Sequence, residues 1–575
     1  MILQALKEYY DRKAADPKSG IAPPGWGVTG IPFIIVIDKD GKFIHIEDTR
    51  ESEGKKKIAK EFVVPQAVKR TSGIAANLLW DNAGYVLGVD LKKPGKQDDQ
   101  KKAFIGKAKE LGDLNDLKPL ITFLMSDNAE TLEKDPLYQE LTEENANVSF
   151  RYIDDNGDAL ICHRPDVRKV IDKQARKKSH TSICLITGDA DEPEILHQSI
   201  KGVYGAQSSG ANIVSFNRPA FESLCKKQGL NAPIGKDAAF AYTTALNTLL
   251  SRDSKQKLTV GDATVVFWSA KKTEFESTFT SIFKEPPKDN PDEGTQKIKS
   301  LLESVKSGAY NDSEDKTIFY ILGLSPNAAR ISIRIWRSET VRNFAINIAQ
   351  YFKDMSIVKP PREPEYYSLW RVLVNTATQD KSENIPPNIA GDMMASILDG
   401  TPFPESILHA VIRRIKSDQE FRVKPVRAAL IKAYINRRHK NNPNHKELAV
   451  SLDITIPSQG YQLGRLFATL EKIQKEALGE TNTTIRERYY SAASTSPRTV
   501  FPILMRLKNH HLAKIESKGR AINFEKLLSE IIGRIDGGVG FPAHLNINDQ
   551  GYFAIGYYHQ MQSFYTKNET ETVTE

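Results

Sequence analysis

Apolar residues recur at helical spacing in the first positions of the chain. Ile2, Leu3, Leu6, Tyr9 and Tyr10 form one stripe among charged neighbours, which predicts an amphipathic helix. After the loop "GIAPPGWG" (20–27), "IPFIIVIDKDGKFIHIED" (31–48) carries two β-type apolar runs around Asp38-Lys39-Asp40-Gly41. That pattern predicts a hairpin with Asp-Gly in the turn. A basic loop, "EGKKKIAKEFVVPQ" (53–66), leads to a further strand, and "NLLWDNAGYVLGVD" (77–90) reads as strand, turn at Asp81-Asn82, strand. Residues 101–145 have helical periodicity. "VSFRYIDDNGDALICHRPDV" (148–167) predicts another hairpin, and "SICLITGDADE" (182–192) a strand with a polar exit. A Gly/Ser/Asn loop then opens 201–250, which ends in a helix. "DATVVFWSA" (262–270) and "KTIFYILGLSPNAARISIRIWRS" (316–338) supply strands around the Pro- and charge-rich linker candidate 283–297. From about 339 helical patterns dominate.

This order predicts an α+β multidomain fold: a mixed α/β N-terminal region with hairpins, then a mostly α-helical C-terminal bundle. Three regions are expected: 1–285, 286–445 (becoming helical and strongly basic) and 446–575. At 575 residues the chain is long enough for several cores.

Charge changes the picture locally. The formal net charge is +8, and nearly all of it falls in 401–450, with eleven Lys/Arg against four Asp/Glu. There Arg413, Arg414, Lys416, Arg422, Lys424, Arg427, Lys432, Arg437, Arg438 and Lys440 ride on expected helices. Val411, Ile412, Ile415, Val426, Leu430, Ile431 and Ile435 would supply the packing face. A basic helical face suits sequence-independent contacts to phosphates, or it is simply solvated.

Chemistry of the enzymatic kind finds little support. The three cysteines, Cys162, Cys184 and Cys225, form no C-x-x-C pair, against a disulfide framework or a cysteine zinc site. "GLNAPIGKD" (229–237) misses the phosphate-loop spacing and has Asp237 where a hydroxyl would hold magnesium. Asp154, Asp155, Asn156 and Asp158 lack the closing glutamate of a calcium loop, and turn chemistry accounts better for Asp38 and Asp40. The eleven histidines make no H-E-x-x-H, and G-x-S-x-G is missing. No catalytic residue, metal or cofactor is therefore expected. The early apolar run, Ile31–Ile37, is far below the ~18 residues of a membrane span, and "MILQALKEYYDRK" has no signal-peptide core, so a soluble, intracellular protein is expected.

Two polar stretches remain. "VKRTSGIAANLLWDNAGYVLG" (68–88) crowds Lys69, Arg70, Thr71 and Ser72 ahead of Asn77 and Asn82, with Trp80 expected in the core. "GAQSSGANIVSFN" (205–217) sets Gln207, Ser208, Ser209, Asn212 and Asn217 among glycines, whose small size lets a ligand approach the backbone. With 31–57, "NAPIGKDAAFAYTTALN" and "RERYYSAASTSPRTVFPILMRLKNHHLAKI" (486–515), these stretches resemble the large subunit of the type I-C (Dvulg subtype) CRISPR Cascade surveillance complex, along essentially the whole chain.

The resemblance implies a non-enzymatic, cytoplasmic bacterial protein of antiviral defence. Such a subunit works with crRNA-carrying backbone, handle-binding and small subunits. It recognises a protospacer-adjacent motif (PAM) on duplex target DNA, promotes opening into an R-loop, holds the displaced strand and recruits a helicase–nuclease, with no membrane involved. On chemistry, Lys55, Lys56, Lys57, Lys69, Arg70, Thr71 and Ser72 are candidate phosphate contacts. Asn77, Gln207, Ser208, Ser209, Asn212 and Asn217 complete the candidate DNA site. Arg413, Arg414, Arg427, Arg437, Arg438, Arg486, Arg488, Arg506 and Lys508 are candidate nucleic-acid backbone contacts. The tail from about 446 resembles the complex's small subunit, and Val450 could mark an internal start. The alternatives are a metal-independent endoribonuclease maturing CRISPR RNA, using Tyr489, Tyr490, His510 and His511, or a generic nucleic-acid scaffold.

Overall fold

The apolar run at 31–37 becomes the most deeply buried strand of a small sheet. In the computed structural model, which describes residues 1–54, 56–70, 73–89, 95–155, 157–175, 182–284, 292–307, 316–418, 422–479, 483–538 and 540–566, all five residues of strand Phe33–Ile37 are buried. It pairs antiparallel with Phe43–Asp48, as the hairpin pattern predicts, and parallel with Asn147–Tyr152. The Asp38 carboxylate accepts the backbone N–H groups of Asp40 (2.9 Å) and Lys42 (2.8 Å), so it closes the turn. The strand order is Phe43–Asp48, Phe33–Ile37, Asn147–Tyr152, Asp81–Asn82.

That order corrects two sequence expectations. Asn147–Tyr152 has Phe33 on one side of Val148 and Asp81 on the other, and among the described residues no return strand within 148–167 pairs with it. The chain goes instead into helix Pro165–Ala175. The second strand expected after Asp81-Asn82 is the short helix Ala83–Val86. The Asn82 side chain caps it by accepting the Tyr85 N–H (3.3 Å). Strands Trp26–Gly30 and Glu61–Pro65 form a separate antiparallel pair. Around 182–192 only the two-residue strands Ser182–Ile183 and Ala190–Asp191 pair.

The amphipathic stripe at the N-terminus forms helix Ile2–Ala14, with Leu6, Tyr9 and Tyr10 buried. It packs on helix Lys236–Leu250, where Tyr10 meets Phe240 edge-on at 5.6 Å. The Tyr10 hydroxyl reaches the Ala22 carbonyl at 3.1 Å, and burial pushes its pKa up to about 12.

Residues 1–202, 206–252 and 326–331 make up one compact unit; 203–205, 253–325 and 332 onward make up a second. This division falls elsewhere than the three regions read from the sequence. The second unit holds most of an antiparallel sheet, Lys257–Val260, Ala263–Ser269, Ile318–Asn327 and Arg330–Thr340. Phe267, Phe275, Phe279, Phe319 and Phe344 fill the space between this sheet and its helices, with ring centroids 4.6–6.0 Å apart.

Beyond Thr340 the chain is helical. Its core runs without a break from the helices of 387–439 to those of 459–563. Helices Gln459–Leu478 and Ile547–Ser563 lie backbone against backbone. A Cβ on Gly464 would collide with the Phe553 carbonyl, and one on Gly556 with the Tyr461 carbonyl. No helix among the described residues is long and apolar enough to cross a membrane.

Candidate nucleic-acid interface

In the first unit, the two polar motifs meet. Segment 66–70 runs alongside 194–198: the Gln198 amide donates to the Ala67 carbonyl (3.1 Å) and the Lys69 ammonium to the His197 carbonyl. The same carbonyl accepts from the Asn212 amide at 3.1 Å, although Lys69 and His197 are 128 positions apart in sequence. Asn212 is also paired through its backbone with 329–331: its N–H donates to the Ala329 carbonyl (3.3 Å) and its carbonyl accepts from Ile331 (3.1 Å). These contacts enclose a recess of about 360 Å³, lined among others by Lys69, Asn212, Asn217, Arg218 and Arg330.

Its electrostatics favour an anion. Lys69, Arg218 and Arg330 face it, and the carboxylate on its wall, Glu222, is already paired with Lys227 at 3.0 Å. Arg330 is aimed by two contacts. It lies 4.4 Å over the Phe221 ring and donates to Asn217 Oδ1 at 2.7 Å. A guanidinium steadied at one edge keeps other N–H groups for a phosphate or a guanine edge. Burial lowers the Lys69 pKa. His197 beneath it is buried, donates to or accepts from the Tyr242 hydroxyl at 2.6 Å, and is held neutral with a pKa of about 4 by burial and by Lys69.

The other residues of the first motif are placed differently. Arg70 is bound to Asp81, donates to the Ala75 carbonyl (2.6 Å) and lies 4.0 Å over the Tyr85 ring. Its charge balances Asp81, whose carboxylate also accepts the Asn77 and Asn82 N–H groups and whose pKa burial raises. Asn77 is buried, and its Oδ1 accepts the Val68 N–H at 2.9 Å, so it shapes the loop from inside. Buried Asn77 is corrected to a structural role, whereas Arg70 is exposed and also holds this loop. Trp80 is buried as expected, its indole N–H donating to the Pro65 carbonyl at 2.7 Å.

Thr71, Ser72 and Lys55 lie outside the described residues. Of Lys56 only the backbone is described, paired with Glu53. Lys57 is exposed and within 3.2 Å of Glu140.

In the second motif Gln207, Ser208 and Ser209 are exposed, on a turn closed by the Gly210 N–H on the Gln207 carbonyl (2.9 Å). Asn212 has both ends of its amide engaged, with Ser199 Oγ donating to its Oδ1 at 3.4 Å. It therefore fastens the loop. Arg218, Arg330 and Phe221 were missed in the sequence reading. Arg218 directly follows the quoted run, whereas Arg330 is 113 residues beyond Asn217 and had no sequence signal.

In the second unit the basic window divides into core and surface. Arg427 is fully buried, bonded to Asp418 (2.9 Å), Asp380 (3.2 Å) and the Asn375 and Arg422 carbonyls (both 3.0 Å). Arg437, also buried, binds Asp354 at 2.5 Å and the Thr401 carbonyl at 3.0 Å. Both tie helices together and cannot reach a nucleic acid from the fold; they too are corrected. Arg414 is drawn to Asp380 (3.4 Å), Arg486 to Glu471 (3.9 Å) and Lys508 to Glu525 (3.1 Å). Arg438 is half exposed, 3.8 Å from Glu405.

Arg413, Arg488 and Arg506 are exposed. Arg506 belongs to an exposed row, Arg498, Pro502, Arg506, His510 and Lys514, four residues apart along helix Pro497–Leu512 and its end. Tyr490 and His511, by contrast, are buried, Tyr490 between the rings of Phe467, Phe553 and Tyr557. No group of three His, Cys, Asp or Glu stands together as a metal site among the described residues.

A mixed α/β protein with a cation- and amide-lined recess on one unit and a basic helical row on the other offers the donors that a polyanion requires. Residues 6–565 match the CRISPR-associated protein (Cas_Csd1) family, and the chain belongs to that family. No curated protein matches it.

Proposed function

We propose that this protein is the large, non-catalytic subunit of a type I-C guide-RNA surveillance complex. In this reading it works in the bacterial cytoplasm with crRNA-bearing subunits, reads the motif flanking the target on duplex DNA, promotes R-loop formation and helps recruit a helicase–nuclease. The observation that carries the reading is the convergence of 66–70, 195–218 and 329–331 on one cationic recess in a CRISPR-associated chain. Lys69 and Arg218 would hold phosphates. Arg330 would face base edges, and Gln207, Ser208 and Ser209 would enter where strands separate. Because opening exchanges one duplex for another of similar stability, a few such contacts can tip it.

The test is duplex binding by the reconstituted guide-RNA complex, with and without this subunit, on targets of varied flank. Arg330→Lys keeps the charge and loses the fork, so it should flatten flank discrimination by about tenfold while leaving salt dependence nearly unchanged. Lys69→Ala should weaken all flanks alike. Discrimination that is the same without the subunit would overturn the reading, and cleavage of precursor guide RNA by the purified chain would replace it with the endoribonuclease.

A further inference from the structure

In the first unit, loop 222–231 carries a leucine where its turn calls for glycine or asparagine. The Lys226 N–H donates to the Ser223 carbonyl at 3.0 Å, which closes a tight turn on Leu224 and Cys225. Both central residues have positive φ, 51° and 58°, and Gln228 follows at 44°. Turns of that sign favour Asn and Gly, because a larger side chain there crowds the backbone through its Cβ. Leu224 is nonetheless 86% exposed, more than any other large apolar side chain among the described residues.

The strained turn is held from several sides. Asn231 Oδ1 accepts the Ser223 N–H, and its amide donates to the Lys226 and Gln228 carbonyls, each at 2.9 Å. The Glu222 carboxylate accepts the Gln228 N–H (3.3 Å) and the Lys227 ammonium (3.0 Å). A Cβ on Gly229 would collide with the Glu194 carbonyl, so the base of the loop sits directly on 194–195. Strain that persists because its surroundings over-determine it points to function. A side chain this exposed contributes almost nothing to a core.

The loop stands at the rim of the Lys69–Arg330 recess, which Glu222 and Gln228 help to line. That lining holds three cations, Lys69, Arg218 and Arg330, and one carboxylate, Glu222, already paired with a fourth cation, Lys227. Arg218 and Lys226, on either side of Leu224 in the chain, are both exposed. Proteins that deform a duplex combine these two parts: cations hold the phosphates while an apolar wedge enters between base steps and unstacks them.

We propose that Leu224 is such a wedge, entering the base stack of duplex DNA whose phosphates lie on Lys69 and Arg218. The inference rests on the reading of the recess as a duplex-binding site and deepens it by naming the side chain that parts the bases. The cationic rim favours DNA over an apolar pocket on a partner subunit.

The test uses the full chain in the reconstituted guide-RNA complex. The duplex carries 2-aminopurine at the step beside the flank and does not match the guide, so no heteroduplex forms. Unstacking raises the emission of this base. Wild type should raise it about threefold over duplex alone. Leu224→Met should keep most of the rise, and Leu224→Ala should lose it with duplex affinity within about threefold of wild type. On matched targets Leu224→Ala should form R-loops about tenfold more slowly. Leu224→Asn, whose side chain suits the left-handed backbone, should lose the signal too while melting no lower than wild type.

The proposal is overturned if wild type binds the duplex without a rise in emission, or if Leu224→Ala gives the full rise; the duplex-binding reading survives both results. It is likewise overturned, in favour of a protein contact, if Leu224→Ala no longer joins the guide-RNA complex. Flank discrimination that is the same without the subunit sinks the broader reading and the proposal with it.

Discussion

Arg70→Ala leaves the Asp81 carboxylate, whose side chain is 2% exposed, without its cation. The expected effect is a loss of about 1–3 kcal/mol of stability, at the lower end because Arg70 itself is partly solvated. Urea unfolding measures it; an unchanged midpoint would show that the pair contributes nothing. Any DNA-binding defect of Arg70→Ala would then be read through the fold, whereas Lys69→Ala leaves the His197 carbonyl its Asn212 donor and should melt nearly as wild type.

Two buried histidines set the acid limit at this scale. Burial and neighbouring lysines (Lys69 and Lys432) lower His197 and His559 from 6.5 to about 4. Between those values the unfolded chain takes up protons that the folded chain refuses. Stability is therefore full above pH 6.5 and falls as pH drops toward 4, by up to about 3 kcal/mol per histidine. Melting curves of His197→Gln and His559→Gln between pH 7.5 and 4.5 should show a shallower decline than wild type.

Among the elements, the pair Gln459–Leu478 and Ile547–Ser563 depends most sharply on small residues. Gly464→Leu or Gly556→Val would push two helix backbones apart, costing about 3 kcal/mol or more, and a Tm within a degree of wild type would contradict the packing described. Helix Ile485–Ala493 begins with a reciprocal cap: Thr484 Oγ1 accepts the Glu487 N–H (3.2 Å) and Glu487 accepts the Thr484 N–H (2.9 Å). Thr484→Ala should cost about 1 kcal/mol, visible as a small shift of the urea midpoint.

For the whole molecule, the tail from 450 is continuous with what precedes it. Gly551 on helix Ile547–Ser563 rests on Leu408, Ile431 and Ile435, and the Tyr558 hydroxyl donates to the Val358 carbonyl at 2.7 Å. Residues 450–575 produced alone should therefore expose an apolar face. Dye binding or self-association is the expected result, relieved when another surface covers that face. A monomeric, cooperatively folding fragment that binds no dye would show that this face needs no cover.

Local pattern determined the helix Ile2–Ala14, the hairpin at Asp38–Gly41, the strands at 263–269 and 318–340 and the helical second half, because each follows from periodicity and turn chemistry within a short window. It also marked Val411, Ile415, Leu430 and Ile435 as packing positions. Family membership was legible because ordered blocks run along the whole chain.

Tertiary structure decided what sequence windows cannot hold. Which strands flank Val148 depended on residues more than sixty positions away. Charge by itself does not say whether an arginine faces water: Arg413 and Arg427 occupy the same basic window, yet one is exposed and the other meets the nearby Asp418 and the distant Asp380, which make its burial tolerable. The recess at Lys69 exists only because folding brings 69, 212 and 330 to one place, and no periodicity in a linear chain encodes that encounter.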